Sequence, residues 1–324
     1  MNKWLLGWCL IIAPISIVYG RTAKQLFDTS SSDDFVIRWG FQKACDHVFD
    51  PRTNIYVWPT SAKGVTFNPA KVQPGDCIFV RKVDLFFKEL HPHITHPYIL
   101  VTHGEHLEAV KEYQLAYLND PLVIAWFGIH PCEKTHPKYT PIPLGILQDP
   151  RYYKKKDYLH ALFTELREST QKQHLVYMNF ADEQKPERKK LKQQLVGKPY
   201  CKRGARQPFI QYLKEMAECT FTLAPGGLGP DSYRVWEALL VGSIPIIRSS
   251  SIDPLLKGLP VLVVSKWSDI TEEFLQQKYQ EITSKKYSIK RLYMEYWLEK
   301  IQRLKSRFLD YRHKKETDDY SNIS

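Results

Sequence analysis

Twice along this chain, short apolar runs alternate with amphipathic segments, and that rhythm restricts the fold more than any single motif. NIYVW (54–58), CIFV (77–80), YILVT (98–102) and LVIAWF (122–127) are short, rich in branched and aromatic residues, and bounded by Pro, Gly, Asp and His. They read as buried strands. DLFFKELH (84–91) reads as a helix between two of them, and GEHLEAVKEYQLAYL (104–118) as another. A second series begins at 157. YLHALFTELREST (158–170), PERKKLKQQLVG (186–197), PFIQYLKEMAEC (208–219) and DSYRVWEALLVG (231–242) read as its helices. HLVYMNF (174–180), TFTLA (220–224), SIPII (243–247) and PVLVV (260–264) read as its strands, with a turn or short helix at DPLL (253–256). Strands that alternate with helices need crossover connections, and these build parallel sheets. Between the two series lies PKYTPIPLGILQDP (137–150), with prolines at 137, 141, 143 and 150, which reads as a crossing between lobes.

With 324 residues, 43% hydrophobic and 13% aromatic, the chain carries enough apolar material for two moderate cores. The expected architecture is α/β and bilobal: an amino-terminal lobe over 21–150, a second lobe over 151–270 and a charged helical tail over 271–324. Tyr279, Ile282, Tyr293, Tyr296, Trp297 and Ile301 give the tail an apolar stripe with which to pack across the lobes. Residues 1–20, MNKWLLGWCLIIAPISIVYG, combine one Lys with an apolar run from Trp4 to Tyr19. That is the pattern of a signal peptide, with an uncleaved signal anchor in the membrane as the alternative, and it implies export or a secretory lumen.

The formal net charge is +11, and much of the excess lies in 151–215. Such a face is either simply solvated or attractive to phosphate-bearing ligands and anionic membranes. No Cys/His finger spacing or RNP-like segment accompanies it, so nucleic acid is not an expected partner. Six cysteines are present, none in a CxxC pair. With Cys9 in the apolar leader, Cys45, Cys77, Cys132, Cys201 and Cys219 remain, which leaves room for one or two bridges of unassigned pairing. Cys77 and Cys219 fall in strand-like runs and read as buried thiols.

The chemistry concentrates in TLAPGGLGPDSYRVWEALLVGSIPII (222–247). A strand ends in Pro225-Gly226-Gly227-Leu228-Gly229-Pro230, and Asp231 or Ser232 caps a helix. The glycines allow close backbone approach and positive φ where a turn needs it. A helix amino terminus behind such a loop is suited to a phosphate or diphosphate. Arg234, on the first turn, adds a forked donor to phosphate oxygens, and Glu237, one turn on, can accept from the hydroxyls of a ribose. The spacing is neither G-x-G-x-x-G nor a P-loop, and a plain turn with an Arg–Glu surface pair is the structural alternative.

Here the sequence resembles the exostosin-like glycosyltransferases. APGGLGPDSYRVWEALLVGSIPII followed by SSSIDPLLKGLPVLVVSKWSDI is similar to their donor-side signature: a Pro-Gly loop, an Asp-x-x-Arg-x-x-Glu helix, a Gly-x-x-Pro-hydrophobic turn and a Leu-Pro strand. VYMNFADEQKPERKKL (176–191), HPYILVTHGEH and LVIAWFGIHP extend the resemblance over most of 75–300. It implies two Rossmann-like lobes facing a cleft (GT-B-like), a nucleotide-sugar donor in the second lobe, a glycan or other hydroxyl acceptor, and inversion at the sugar carbon. Carried onto this chain, Gly226 and Gly227 approach the diphosphate, Asp231 opens the helix, Arg234 binds the diphosphate and Glu237 holds the ribose. Related chains carry an arginine where this one has Gly226, and Arg188 or Arg248 is the candidate to supply that charge.

No Asp-x-Asp lies near the donor motif, Asp33-Asp34 reads as a cap, and HPHITHP (91–97) reads as a surface loop. Catalysis without a cofactor or metal ion is therefore expected, the helix dipole and Arg234 stabilising the leaving diphosphate. A general base should project from the first lobe. His103 and Glu105, at the carboxyl end of strand 98–102, are the candidates, with Asp84 as runner-up. Two other classes stay open: a catalytically inactive glycan-binding protein on the same fold, and a basic protein that binds anionic surfaces.

Overall fold

The computed structural model describes residues 27–28, 35–51, 67–104, 111–129, 131, 134–147, 155–181 and 185–321. The run 1–20, Asp33-Asp34, the expected strand 54–58, Glu105 and Cys132 lie outside the described residues.

The first lobe comprises β1 (Phe27–Asp28), α1 (Arg38–Ala44), β2 (His47–Phe49), β3 (Asp76–Val80), α2 (Val83–Glu89), β4 (Tyr98–Thr102), α3 (Glu112–Leu115), β5 (Val123–Ile129) and β6 (Tyr139–Ile142). Five of these strands form one sheet in the order β2-β3-β4-β5-β6, every pair parallel. The helix expected over 104–118 is shorter in its described part. It is the single turn of α3, continued as a 3-10 turn over Ala116–Asn119 and ended at Asp120, which precedes Pro121 and is driven out of the helical region. The Pro-rich crossing also contributes structure. Its Tyr139–Ile142 segment is the edge strand β6, where Pro141 has no second neighbour to donate to.

The second lobe runs α4 (Lys156–Ser169), β7 (His174–Met178), α5 (Pro186–Leu195), β8 (Cys201–Arg203), α6 (Phe209–Ala217), β9 (Cys219–Leu223), α7 (Tyr233–Leu240), β10 (Ile244–Arg248), α8 (Asp253–Leu256) and β11 (Leu262–Val264). Its sheet order is β8-β7-β9-β10-β11, again parallel throughout. Helix α7 is set by an apolar face and stopped by Gly242 at φ 74°, a left-handed position that favours glycine. Strand β8 was not visible as an apolar run. It is a charged edge, the kind that resists pairing with another chain.

The tail holds α9 (Glu272–Thr283), β12 (Tyr287–Ser288) and α10 (Met294–Ser321). Thr271 Oγ1 caps α9 by accepting from Phe274 N at 3.2 Å. β12 pairs in parallel with β1, and Phe35 bridges to Tyr293. Helix α10 then returns to the first lobe, where Lys305 Nζ reaches Asp46 Oδ2 at 3.3 Å and Asp76 Oδ1 at 3.5 Å. The tail thus packs across both lobes. Among the described residues, no helix is long and apolar enough to cross a membrane.

The period-2 alternation of the strands decides where the cores lie. In β3, Ile78 and Val80 face an outer cluster with Phe86 of α2, while Cys77 and Phe79 face inward. The inward cluster also takes Phe163 of α4, Leu213 of α6, Trp236 of α7 and Trp297 of α10. One apolar core therefore joins both lobes and the tail. Each lobe keeps its own second cluster on its outer face.

Candidate functional site

In the second lobe the chain goes from β7 outward to β8, then returns past β7 to β9. Right-handed crossovers that run in opposite directions lie on opposite faces of a sheet. Leu191 and Leu195 of α5 accordingly pack on one face, and Leu213 of α6 with Val235 of α7 on the other. The carboxyl ends of β7 and β9 are left with diverging connections, the switch point at which open α/β sheets hold ligands. A recess of about 490 Å³ opens there, lined among others by Asn179, Gly227, Asp231, Ser232, Arg234 and Glu237. Leu144 and Leu147 of the crossing wall it from the first-lobe side.

The glycine-rich loop after β9 hangs on one side chain. Arg188 of α5 donates from Nε to Gly226 O at 3.0 Å, from Nη2 to Pro225 O at 3.1 Å and from Nη1 to Ala181 O at 3.0 Å. Positive φ is not what the loop needs, since Gly226, Gly227 and Gly229 are not among the residues that hold it. The requirement is clearance. A Cβ on Gly226 would stand 3.1 Å from Gly229 O, and one on Gly227 3.3 Å from Arg188 Nη2. The two glycines also part company. Gly227 lines the main recess, whereas Gly226 faces a second recess of about 310 Å³ behind the loop, with Arg248 and Trp267.

Charge is concentrated beside the loop. The guanidinium carbons of Arg188 and Arg234 lie 5.9 and 6.0 Å from the centre of the Phe180 ring. Among the described residues neither has a carboxylate in ion-pair contact; Arg248, by contrast, is paired with Glu187 at 3.2 Å. Burial and the neighbouring Arg234 push the Arg188 pKa down. Arg234 Nε and Ser232 Oγ are buried without a hydrogen-bond partner, and both residues line the recess. Ser232 is the N-cap of α7 by position, yet its side chain makes no capping bond. Two crowded cations and two unsatisfied polar atoms describe a site that an anionic, hydrogen-bonding ligand would complete. Two first-lobe cations, Arg38 and Arg81, act on neighbouring Tyr233, and Arg81 is ion-paired with Asp50 at 3.1 Å. Burial raises the Tyr233 pKa, and Arg38 and Arg81 pull it back.

The two carboxylates are held by the protein. Asp231 Oδ2 accepts from Leu144 N at 2.9 Å and Oδ1 from Trp236 Nε1 at 2.8 Å, so it clasps the crossing onto α7. Burial pushes its pKa up to about 6 against the pull of those donors. Glu237 Oε1 accepts from Leu147 N at 3.1 Å and Oε2 from Tyr212 OH at 2.9 Å. Burial raises its pKa as well, with Arg234 acting on it only at a distance. The Arg–Glu surface pair of the plain-turn alternative is therefore absent, since Glu237 is buried. Glu237 is 3% exposed, and a ribose would share oxygens that already accept one bond each.

Several lining groups escaped the sequence reading. Asn179 Nδ2 donates to Tyr177 OH at 2.9 Å and Ala205 O at 3.0 Å. Gln207 Nε2 bonds Glu215 Oε2 at 2.6 Å, and Tyr177 OH donates to the same oxygen at 3.0 Å. Asn179 did leave a trace, as the one amide ending the apolar run HLVYM. Gln207 and Tyr212 left none, because their approach depends on how α6 packs.

Of the first-lobe candidates, His103 and Asp84 are among the described residues, and neither lines the recess. His103 is 2% exposed, tilted against Phe41, with Nε2 3.0 Å from Pro143 O. It faces the crossing and not the recess. Asp84 is exposed and ties α2 to α3, accepting from Tyr113 OH at 2.8 Å, Gln114 Nε2 at 3.1 Å and Tyr117 OH at 3.3 Å. Nor is HPHITHP simply a surface loop, since His91 bridges Tyr98 OH at 2.8 Å and Asp120 Oδ2 at 3.0 Å. Among the described residues no three His, Cys, Asp or Glu side chains gather as a metal-binding group.

Residues 146–315 match the family described as the RXYLT1 C-terminal domain. No curated protein matches the chain in sequence. Among solved structures, a GtfA/B complex aligns with 13% identity and a TM-score of 0.34, over 73% of this chain and 59% of that one. The pneumococcal O-GlcNAc transferase GtfA in complex with UDP and GlcNAc aligns with 14% identity and a TM-score of 0.30, over 77% and 58%. The chain thus spans less than two thirds of the length of either.

Proposed function

The chain belongs to the family of the RXYLT1 C-terminal domain, and from that premise we propose that it is a glycosyltransferase that moves a sugar from a nucleotide-sugar donor to a glycan or other hydroxyl acceptor. One observation carries the donor half of the reading: Arg188 and Arg234 crowd the switch-point recess without a partner carboxylate among the described residues, beside the buried, unpartnered Arg234 Nε and Ser232 Oγ. A diphosphate seated there would satisfy both atoms and relieve the repulsion between the guanidiniums.

In such a reaction the acceptor oxygen attacks the anomeric carbon while the bond to the diphosphate breaks, and inversion follows from attack opposite the leaving group. Negative charge grows on the diphosphate. Arg234 and the amino terminus of α7 stand where that charge develops, with Arg188 holding the loop in place. These fixed cations do the work that a divalent ion does elsewhere, so turnover is proposed to need no metal. The base belongs to the acceptor side, and Glu105 keeps its candidacy there. Export through residues 1–20, cleaved or kept as an anchor, places the chain where a lumenal donor is available. A reporter fused after residue 324 should be protease-protected in intact vesicles; cytosolic accessibility would reverse that assignment.

The decisive test is thermal stability of the chain against UDP, GDP, CMP and their sugars, with and without EDTA. A ligand that binds only the folded state raises the midpoint. A rise with one nucleotide, kept in EDTA and lost in Arg234→Ala, is the expected result. Donor turnover that vanishes in EDTA and returns with Mn²⁺ would reject metal independence. A second reading, glycan binding without turnover, is favoured by Asp231 and Glu237 being engaged by protein donors. Folded protein that binds glycan but shifts with no nucleotide would establish it.

A further inference from the structure

Cys45 and Cys77 approach to 2.9 Å at sulfur. Cys45 closes α1 with extended backbone, φ −85° and ψ 146°, and Cys77 is the second residue of β3. β2 lies beside β3 with His47 opposite Ile78, so the residues entering β2 run along the start of β3. Neighbouring strands sit about 4.8 Å apart, within the roughly 4.4–6.8 Å between Cα atoms that a disulfide spans. Cys77 belongs to the shared core and Cys45 packs against the same cluster, so the two side chains meet on one face. Cys201 and Cys219 are remote from them, on strands at either side of β7 in the other lobe.

We propose that Cys45 and Cys77 are joined by a disulfide in the mature protein, closing the 32-residue interval between them and pinning α1 to β3. A dithiol–disulfide oxidant, such as an oxidoreductase disulfide or glutathione disulfide, supplies the oxidising equivalents. The thiolate of Cys45, the more exposed of the two, attacks one oxidant sulfur, and the other sulfur leaves as a thiolate that takes up a proton. Cys77 then gives up its proton and attacks Sγ of Cys45, expelling the second oxidant thiol. Two protein thiols become one disulfide, and one oxidant disulfide becomes two thiols. Burial pushes the Cys45 thiol well up, which leaves little thiolate in the folded lobe. The bond is therefore made while the lobe assembles, in an oxidising compartment.

The location gives the bond its purpose. Asp46 Oδ2 accepts from Cys77 N at 2.9 Å and from Lys305 of α10 at 3.3 Å, so helix, strand and tail converge there. Helix α1 also sets Phe41 against His103 and Gly40 against Met294 of α10. A covalent pin on α1 holds the junction between first lobe and tail.

The test is a thiol map of the full chain exported into an oxidising lumen, alkylated without reductant, digested and read by mass spectrometry. A peptide pair linking Cys45 to Cys77, with both residues alkylated only after reduction, is expected. Alkylation of both before reduction in folded protein overturns the proposal, as does a bridge from either one to any other cysteine. Reduction should lower the thermal midpoint by roughly 5–10 °C and leave that of Cys45→Ser unmoved; equal shifts in both proteins also overturn it. If Cys45→Ser does not fold, the map of the natural chain decides alone. None of these readouts involves a nucleotide.

Discussion

Both sheets have five parallel strands, yet the first is wound in chain order and the second reverses between β7 and β9. In the first lobe, α2 and α3 follow crossovers of one direction, and their apolar residues Phe86 and Leu115 pack on one face. The other face is left to α1, with Phe41, and to the second lobe and tail, which cover the rest of it. In the second lobe the reversal sends α5 to one face and α6 and α7 to the other. That lobe carries helices of its own on both sides, joined on the α5 side by α9 of the tail, and opens a recess where they part. The same strand–helix grammar produces a docking platform in one case and a ligand site in the other, and the difference is one change of winding direction.

The largest effect should come from breaking what the lobes share. Trp236 is fully buried in the common core and donates to Asp231, so Trp236→Ala should cost about 3–5 kcal/mol and uncouple the lobes. Urea unfolding followed by probes in each lobe would then separate into two transitions; a single transition at unchanged midpoint would contradict a shared core. Next in size, Arg188→Lys keeps the charge but loses the fork that grips three carbonyls. Nucleotide affinity should drop about ten- to a hundredfold, an expected loss of about 1.4–2.8 kcal/mol, readable by calorimetry. Undiminished affinity would mean that charge alone, and not loop geometry, makes the site.

A smaller effect is pH-dependent. The Asp231 pKa is raised from its ordinary value of 3.8 to about 6, so the folded state holds this proton more tightly than the unfolded chain. Its contribution to stability is full below pH 4 and is lost as pH rises through about 6. Asp231→Asn should remove the Asp231 share of that decline, leaving the share of Glu237, which is shifted the same way. Denaturant midpoints between pH 4 and 7 would check the sign. The smallest change belongs to the platform lobe. Asp84→Ala removes an exposed brace between α2 and α3 and should cost about 1 kcal/mol or less, with nucleotide affinity unchanged. A loss of donor affinity there would blur the division of labour between the lobes.

Much of this was legible beforehand for a physical reason. Parallel strands buried on both faces must be nearly continuous apolar runs, and β3, β4, β5, β7, β9 and β10 were readable as such. Three of the four edges were not: β2, β6 and β8 tolerate Pro141, Lys202 and Arg203, whereas the fourth edge, β11, keeps the apolar run PVLVV and was readable. The loop of 225–230 and the arginine of its helix were legible because glycine permits close backbone approach and a helix amino terminus beside a cation suits an anion. What the glycines do was not: they give room beside Gly229 O and Arg188, and hold no left-handed turn.

By its own pattern, the amino-acid sequence determined two parallel α/β lobes, a proline-rich crossing, a helical tail and a phosphate-suited loop, since periodicity, turn chemistry and charge act over a few neighbouring residues. Tertiary structure alone decided which strands adjoin, hence where the switch point falls. It brought Arg188 to within reach of a loop 37 residues away, turned Asp231 and Glu237 onto the crossing 87 and 90 residues back, and buried His103 against Pro143. Those outcomes depend on strand order and on the packing of one lobe against the other, which no local stretch of the chain encodes.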